Sequence, residues 1–229
     1  MAWESNVDLN GATGTDGDIL LARSTDNART WSAPFAVASG YVDGEDDIDR
    51  SPTIDTDGRG NWLCVWASNA DLNGWGDDFD ILMAKSVDFG ESWTDPRPVN
   101  DALNDETTVT VGDFNPWVAT DRLGHWVAAW NTNSSFGGAL GADHDIMVSL
   151  SRDFGETWVS AIPLNTNATV DTGQDTHPMM LADRQGEWIA AWSSTESLDG
   201  AIGEDQDILV SYEAPRGFSV SFAKARWYP

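Results

Sequence analysis

The sequence predicts an all-β fold, a β-propeller built from about four four-stranded antiparallel blades, on three observations. Short apolar runs that close on Trp recur at intervals of 63, 64 and 62 residues, at Trp3, Trp66, Trp130 and Trp192. Within one interval, four extended segments are separated by turn residues, and none of them keeps a helical period of 3.6. Four antiparallel strands repeated at one period are typical of a propeller blade.

The second repeat shows the four segments most clearly. They are Ser51–Asp55, Asn61–Ser68, Asp80–Ser86 and Ser92–Val99. The first and second segments are joined by Asp57-Gly-Arg-Gly-Asn-Trp62, which places Asp and Gly where a tight hairpin needs them. The repeat units of this single propeller domain are predicted at 1–39 (partial), 40–103, 104–166 and 167–229.

The first unit starts inside its second segment, so the predicted first blade lacks an innermost strand. Either four blades close imperfectly, or the chain is part of a larger ring, or several copies assemble to complete one. We favour the partial ring. Because an unclosed propeller leaves strand edges and blade faces bare, self-association through these edges is expected.

The composition narrows the classes of partner. The formal net charge is −26 and the isoelectric point is about 4.1, so phosphate backbones and anionic membrane surfaces are repelled. We therefore expect no nucleic-acid partner, and no apolar run is long enough for membrane insertion. Cys64 is the single cysteine, which excludes an internal disulfide. The first residues, MAWESN, lack the basic and apolar regions of an export signal.

The third and fourth segments are joined by a second repeated motif, Ser-x-Asp-x-Gly-x-x-Trp. The complete copies comprise Ser86, Asp88, Gly90 and Trp93, and Ser151, Asp153, Gly155 and Trp158; a looser copy has Ser24, Asp26 and Trp31, with Ala28 in place of Gly. A degenerate copy starts at Ser211, with Glu213, Pro215 and Phe218 at the altered positions. The motif resembles the Asp-box, or BNR repeat, of the sialidase-like β-propellers.

The chemistry of this motif is structural. Ser and Asp side chains can hydrogen-bond the backbone of their own turn, and Gly permits a positive φ. The Trp ring is expected to fold back between neighbouring sheets. The resemblance implies that the Asp boxes lie on the face away from the binding site.

The opposite face is predicted to carry a rim of carboxylates. The connections between second and third segments end in Asp-x-Asp, at Asp16 and Asp18, Asp78 and Asp80, Asp143 and Asp145, and Asp205 and Asp207. The connections between units end in Asp-x-x-Pro, at Asp49, Asp113 and Asp175, with His177 inside the last copy. Oxygen-rich sites of this kind suit Ca²⁺, although the same aspartates are also typical caps of strands and turns. Both interpretations stay open, with calcium as the metal expected if one binds.

Resemblance to sialidases also raises the question of catalysis. Those enzymes hold the substrate carboxylate with three arginines, use Tyr with a Glu partner as nucleophile and Asp as acid, and carry Arg-Ile-Pro at an innermost strand. Arg50-Ser51-Pro52 resembles that signature, which makes Arg50 a candidate carboxylate-binding residue. The corresponding residues of the next units are Phe114 and Thr176, and no persuasive Tyr–Glu pair is present.

Two functions follow from these features. The first is a non-catalytic propeller that recognises a glycan or a protein on its acidic loop face, stabilised by calcium if the rim binds it. The second is a fragment of a sialidase-like glycoside hydrolase that lacks part of its catalytic constellation. The family resemblance implies an extracellular or periplasmic location.

Overall fold

The protein is all-β. The computed structural model describes residues 1–9, 13–14, 16–37, 47–71, 78–99, 111–141, 143–165, 167–198, 203 and 205–212. These residues form fourteen strands, and the one helical segment among them is a single 3-10 turn at Phe136–Gly138. No helix of the described chain is long and apolar enough to cross a membrane. The predicted fold class is confirmed.

The strands form four antiparallel sheets, each built from one contiguous part of the chain. The first sheet contains β1 (Ala2–Ser5), β2 (Asp18–Leu21) and β3 (Phe35–Ala36). The second contains β4 (Asp49–Thr56), β5 (Trp62–Ser68), β6 (Asp80–Ser86) and β7 (Arg97–Pro98). The third contains β8 (Asp113–Thr120), β9 (Trp126–Thr132), β10 (Asp145–Ser151) and β11 (Ile162–Pro163). The fourth contains β12 (Asp175–Ala182), β13 (Trp188–Ser194) and β14 (Asp207–Tyr212).

Strands pair with their neighbours in chain order within every sheet, as expected for propeller blades. The first sheet begins with the equivalent of a second strand, so among the described residues it has no innermost strand, as predicted. The outermost strands are shorter than predicted: Ser92–Val99 yields only Arg97–Pro98. The reason is that Asp88 holds the backbone N–H of Ser92 inside the box turn, so this residue is not available for the ladder.

The sheets stack face to face through three apolar clusters. Trp66 packs in the cluster between the first and second sheets, Trp130 in the one between the second and third, and Trp192 in the one between the third and fourth. Each of these rings is buried and faces the preceding sheet. The three tryptophans therefore occupy rotated copies of one environment, which is the arrangement that the Trp spacing predicts.

The outer face of the fourth sheet is exposed in the described part of the chain. Met179, Leu181, Ile189 and Ile208 are all more than 40% exposed on this face. In the third sheet the equivalent side chains, such as Ile146 on β10, are covered by the next sheet. Self-association through bare edges and faces remains a prediction, and this apolar face is the surface that would favour it.

The innermost strands β4, β8 and β12 contact one another and bring the sheets together at their inner edge. Each contains an irregularity immediately before a proline. The register shifts there, and the residues preceding Pro52, Pro116 and Pro178 adopt a positive φ, at Ser51 (55°), Asn115 (51°) and His177 (54°). Left-handed backbone is costly for such residues and is concentrated at functional sites. The three left-handed residues therefore make this edge of the molecule a candidate functional region.

Candidate functional site

The two kinds of long connection meet on one side of the protein, which we call the loop face. The backbone N–H of Asp49 donates to the Gly17 carbonyl at 2.7 Å, and that of Asp113 donates to the Phe79 carbonyl at 2.6 Å. In the same way Asp175 donates to the carbonyl of His144 at 2.8 Å. The first three Asp-x-Asp motifs are thus each bonded to the Asp-x-x-Pro motif of the next sheet.

All the predicted rim aspartates lie on the loop face, but they differ in how deeply they are buried. The buried ones are Asp18, Asp49, Asp78, Asp113, Asp143, Asp145 and Asp175; Asp16, Asp80 and Asp207 are half-buried, and Asp205 is exposed. His177 is exposed. Carboxylates that share a desolvated rim raise one another's pKa.

Two of the Asp-x-x-Pro aspartates show this effect strongly. Burial raises the pKa of Asp113 to about 8, with a further contribution from the Asp80 carboxylate, while the Thr132 hydroxyl opposes the shift. Burial likewise raises the pKa of Asp175 to about 7, opposed by the Ser194 hydroxyl. Near neutral pH these side chains therefore carry protons that ordinary aspartates have lost.

Three aspartates come close enough together to hold a metal ion. One oxygen from each of Asp143, Asp145 and Asp171 lies within 4.8 Å of the other two. We call this group the aspartate trio. Among the described residues it is the one such group, so the other predicted Asp-x-Asp pairs have no third ligand there. The trio joins the loop before β10 to the connection between the third and fourth sheets.

A cavity of about 470 Å³, which we call the mouth, opens on the loop face beside the innermost strands. It is lined by Arg50, Ser51, Phe114, Asn115, Asn131, Asn133, His144 and Thr176. The lining thus combines one cation, one aromatic ring and several amides. The left-handed residues Ser51 and Asn115 face it, so the irregular turns of β4 and β8 shape its wall.

Arg50 is held in the mouth by aromatic rings. Its guanidinium carbon lies 3.6 Å from the centroid of the Phe79 ring and 5.3 Å from that of Phe114. Of the carboxylates in the described residues, none lies within ion-pair distance of this guanidinium. Burial lowers the pKa of Arg50, and the negative charge of Glu4 opposes that shift. A partly buried cation with no ion-pair partner in the described part of the chain is suited to bind an anionic ligand group.

The position of Arg50 is also distinctive within the chain. The other described Lys and Arg residues lie on the hairpins between first and second strands or beside the Asp boxes, on the opposite side. Among the described residues Arg50 is therefore the sole permanent cation on an otherwise acidic loop face.

A hydrogen-bond network connects the mouth to the neighbouring aspartates. Asn131 Oδ1 accepts from Asn115 Nδ2 at 2.9 Å and from the His177 backbone at 3.4 Å. Its Nδ2 therefore faces His144 Nδ1, 2.9 Å away, which makes Nδ1 the acceptor. Burial lowers the pKa of His144, in keeping with a neutral ring. His144 lies between Asp143 and Asp145 in the chain and thus belongs to both regions.

The Asp boxes lie on the face opposite the mouth and have the predicted turn geometry. In the second sheet Ser86 Oγ donates to Asp88 at 2.7 Å and accepts from the Gly90 N–H at 2.9 Å. Gly90 and Gly155 have φ values of 80° and 75°, and Ala28 adopts 61° at the equivalent point of the looser copy. The altered positions of the degenerate copy, 213–218, fall outside the described residues.

The box tryptophans differ with their surroundings. Trp93 and Trp158 are half-buried against the inter-sheet clusters, and the Trp158 indole N–H donates to the Met83 sulfur at 3.2 Å. Trp31 is 45% exposed. The expectation that each box Trp ring folds back between neighbouring sheets is therefore wrong for Trp31. The first sheet has no preceding sheet in the described chain against which its Trp can pack.

Several residues of the site were not singled out from the sequence. Asp171 lies in the connection that ends at Asp175, and only the Asp-x-x-Pro motif of that connection was predicted to belong to the rim. Phe79 lies between Asp78 and Asp80, and nothing in the sequence distinguishes it from other apolar residues. Asn131 directly follows the repeated Trp130, which was the one available signal for it. The other predicted site residues lie on the face that the strand order predicts for them, and their functions remain predictions.

Stacked antiparallel sheets of three or four described strands, with Asp-box turns after the third strand, define the class of fold: it is a β-propeller. No family model and no curated protein matches the chain. Solved structures do match it. A Hadza microbial sialidase is 17% identical with a TM-score of 0.54, over 75% of this chain and 36% of that one. A leech intramolecular trans-sialidase is 16% identical with a TM-score of 0.53, over 93% and 29%.

A third similar structure is an α-L-arabinofuranosidase of Fusarium graminearum, 15% identical with a TM-score of 0.53, over 85% of this chain and 54% of that one. The protein thus has the fold of the sialidase-like and related glycosidase propellers, and the resemblance predicted from its boxes is confirmed at the level of fold. The chain spans about a third to a half of the length of the first structures it matches.

Proposed function

We propose that the protein is a non-catalytic recognition propeller whose mouth binds a carbohydrate that carries a carboxylate. The observation that carries this proposal is Arg50, a half-buried guanidinium stacked on Phe79 with no carboxylate partner among the described residues. Stacking covers one face of the guanidinium and leaves its edge N–H groups for a planar anion, which arginine binds in bidentate fashion.

The rest of the mouth suits a sugar. Asn115 and Asn133 supply amide groups that can donate to and accept from hydroxyls, Asn131 orients the Asn115 side chain, and Phe114 offers an apolar ring. The cavity volume of about 470 Å³ falls within the range of small-molecule sites. Two structures of this fold were solved with 2,7-anhydro-Neu5Ac and with arabinobiose, which supports a sugar as the ligand class. Fold alone sets no function, so the argument rests on the mouth.

The composition of the mouth supports recognition over hydrolysis. Glycosidases need a pair of carboxyl groups about 5–10 Å apart, or a Tyr nucleophile in sialidases, around the scissile bond. None of the eight described residues that line the mouth is Asp, Glu or Tyr. We also propose, from the family resemblance, that the protein works outside the cytoplasm, in an extracellular or periplasmic setting.

A substitution of Arg50 tests this proposal. Arg50→Ala should weaken binding of a sialyl glycoside by about 10- to 100-fold, because a charge-assisted hydrogen-bond pair contributes about 1.5–3 kcal/mol. Titration calorimetry measures the loss, and the neutral galactoside should bind wild type and variant equally weakly. Arg59→Ala, on the opposite face, is the matched control and should leave binding unchanged. Unaltered affinity of Arg50→Ala for the sialoside would refute the proposal.

Calcium is part of the proposal as the ion that stabilises the acidic loop face. Carboxylate-rich, oxygen-only sites on loops suit Ca²⁺, and it would offset repulsion among the buried aspartates. At a calcium concentration about 100-fold above the dissociation constant, one site stabilises the fold by about 2.7 kcal/mol, or about 5–10 °C in melting temperature. Calorimetric melting with calcium and with EDTA measures this. Identical melting temperatures with calcium and with EDTA would contradict stabilisation by calcium.

The alternative is that the chain is part of a sialidase-like glycoside hydrolase. The resemblance of Arg50-Ser51-Pro52 to the sialidase signature and the fold shared with sialidases favour it. The other arginines and the nucleophile would then lie outside the described residues. Cleavage of a fluorogenic sialoside by the complete protein distinguishes this alternative from pure recognition, which predicts binding without turnover.

A further inference from the structure

We infer that Asp143, Asp145 and Asp171 form a calcium site that ties the third sheet to the fourth and holds His144 in place at the mouth. The inference deepens the calcium part of the proposed function by giving the ion specific ligands. It also adds a connection that neither the repeat nor the rim implies, between metal binding and the shape of the ligand cavity.

The spacing of the aspartate trio fits the size of the ion. Calcium binds oxygen at about 2.3–2.6 Å, so ligands on opposite sides of the ion are about 5 Å apart and adjacent ones are closer. The three oxygens of the trio lie within 4.8 Å of one another. They therefore fit around one ion after small adjustments, with coordination positions left for water and backbone carbonyls.

The burial of these carboxylates is a second, independent observation. Asp145 is 1% exposed and Asp143 is 9% exposed. Each member of the trio nevertheless has one oxygen with no hydrogen-bond partner in the described part of the chain: Asp143 Oδ2, Asp145 Oδ2 and Asp171 Oδ1. Buried acceptors without a donor are costly and rare in folded proteins. Three of them in one place point to a cation as their partner.

Two of the three remaining oxygens accept hydrogen bonds from amides that orient the trio. Asn165 Nδ2 donates to Asp145 Oδ1 at 2.7 Å, and Asn167 Nδ2 donates to Asp171 Oδ2 at 2.8 Å. Such supporting hydrogen bonds fix the direction of metal-binding carboxylates. Asn165 and Asn167 come from the turn after β11, so the ligands and their supports are built from two connected loops.

The ligand chemistry selects a hard ion. All three donors are carboxylates, the His144 ring is engaged by Asn131, and Cys64 is buried in another part of the protein. Zinc prefers nitrogen and sulfur ligands, and magnesium demands a strict octahedron and keeps most of its waters. Calcium tolerates an irregular set on flexible loops. Burial raises the pKa of Asp145 and of Asp171 to about 6, a repulsive arrangement that a divalent cation relieves.

The site is connected to the mouth through His144, which lies between two of its ligands. The carbonyl of His144 accepts from the Asp175 N–H at 2.8 Å, and its ring accepts from Asn131, a lining residue. An ion that fixes residues 143–145 therefore fixes His144 and, through Asn131, the side chain of Asn115. By thermodynamic linkage, calcium and the ligand in the mouth should then strengthen each other's binding.

Calorimetric titration of the apo protein with calcium tests the site directly. Wild type should bind one ion here with a dissociation constant of about 10⁻⁴–10⁻³ M, typical of extracellular calcium modules. Asp171→Asn should lose this binding by more than about tenfold and lose its stabilisation by calcium. Asp207→Asn is the matched control, because Asp207 begins β14 as Asp145 begins β10 but belongs to no such trio. Asp171→Asn with unchanged calcium affinity would overturn the site.

The link to the mouth has its own readout. The chain contains only three histidines, so the imidazole resonances are readily assigned by NMR. Calcium should shift those of His144 in wild type and leave them unmoved in Asp171→Asn, while His125 serves as the internal reference. His144 imidazole resonances that do not shift at saturating calcium would refute the connection. Because Arg50→Ala should keep full calcium binding, failure of the glycan proposal and failure of this site are separable.

Discussion

Replacing Trp130 with alanine should lower the free energy of unfolding by about 3–5 kcal/mol, the usual cost of deleting a large buried aromatic side chain. Trp130 is fully buried between the second and third sheets, where it packs in one cluster with Val65 and Met83. The substitution leaves a cavity at the contact that holds two sheets together. Denaturant unfolding followed by intrinsic fluorescence measures the change.

The control for this experiment is Trp31→Ala. Its ring belongs to an Asp box but is 45% exposed, so its loss should cost less than about 1 kcal/mol. Trp66→Ala should resemble Trp130→Ala, because the two rings hold equivalent places in successive clusters. Similar costs at Trp31 and Trp130 would contradict the stacking of repeated sheets.

In the presence of a chelator, stability should fall as the pH rises from about 4 to about 8. Asp113, with a pKa raised to about 8, and Asp175, with one raised to about 7, keep their protons in the folded protein, whereas the unfolded chain releases them near pH 4. The folded state then binds more protons, so the free energy of unfolding decreases with pH across this window. The expected loss is on the order of a few kcal/mol.

The acid side of the profile has the opposite slope. Hydrogen bonds from Thr30 and Thr157 lower the pKa values of the box residues Asp26 and Asp153 to about 2, so their stabilisation is lost as the pH falls from about 4 toward 2. The free energy of unfolding is therefore expected to be largest at about pH 4–5. Asp113→Asn should flatten the upper part of the curve. Unfolding experiments in which wild type grows more stable between pH 5 and 8 would contradict this assignment.

The fold was predictable because its determinants are local and repeated. Trp66, Trp130 and Trp192 mark the same strand in successive sheets, and the Ser–Asp pair of each box closes its turn within eight residues. Chain order alone then places all connections between second and third strands on one side. The meeting of the Asp-x-Asp and Asp-x-x-Pro motifs at the loop face followed from that topology.

The details of the site depend on contacts between different loops, which periodicity does not encode. Asp171 joins the trio because the connection after β11 folds back toward Asp143 and Asp145, and nothing in its local sequence sets this direction. Arg50 stacks on Phe79, which lies 29 residues further along the chain, and the repeat pattern gives no sign of this contact. The outermost strand of the second sheet is shorter than predicted because the Asp88 carboxylate, and not a strand partner, binds the Ser92 N–H.

A crystal structure of the protein grown with calcium and a sialyl glycoside tests the central claim, that the mouth around Arg50 is the ligand site. The predicted result is a sugar beside β4 and β8 with its carboxylate in hydrogen-bond contact with the Arg50 guanidinium. A sugar bound only on the Asp-box face, or in the mouth with its carboxylate turned away from Arg50, would contradict the account.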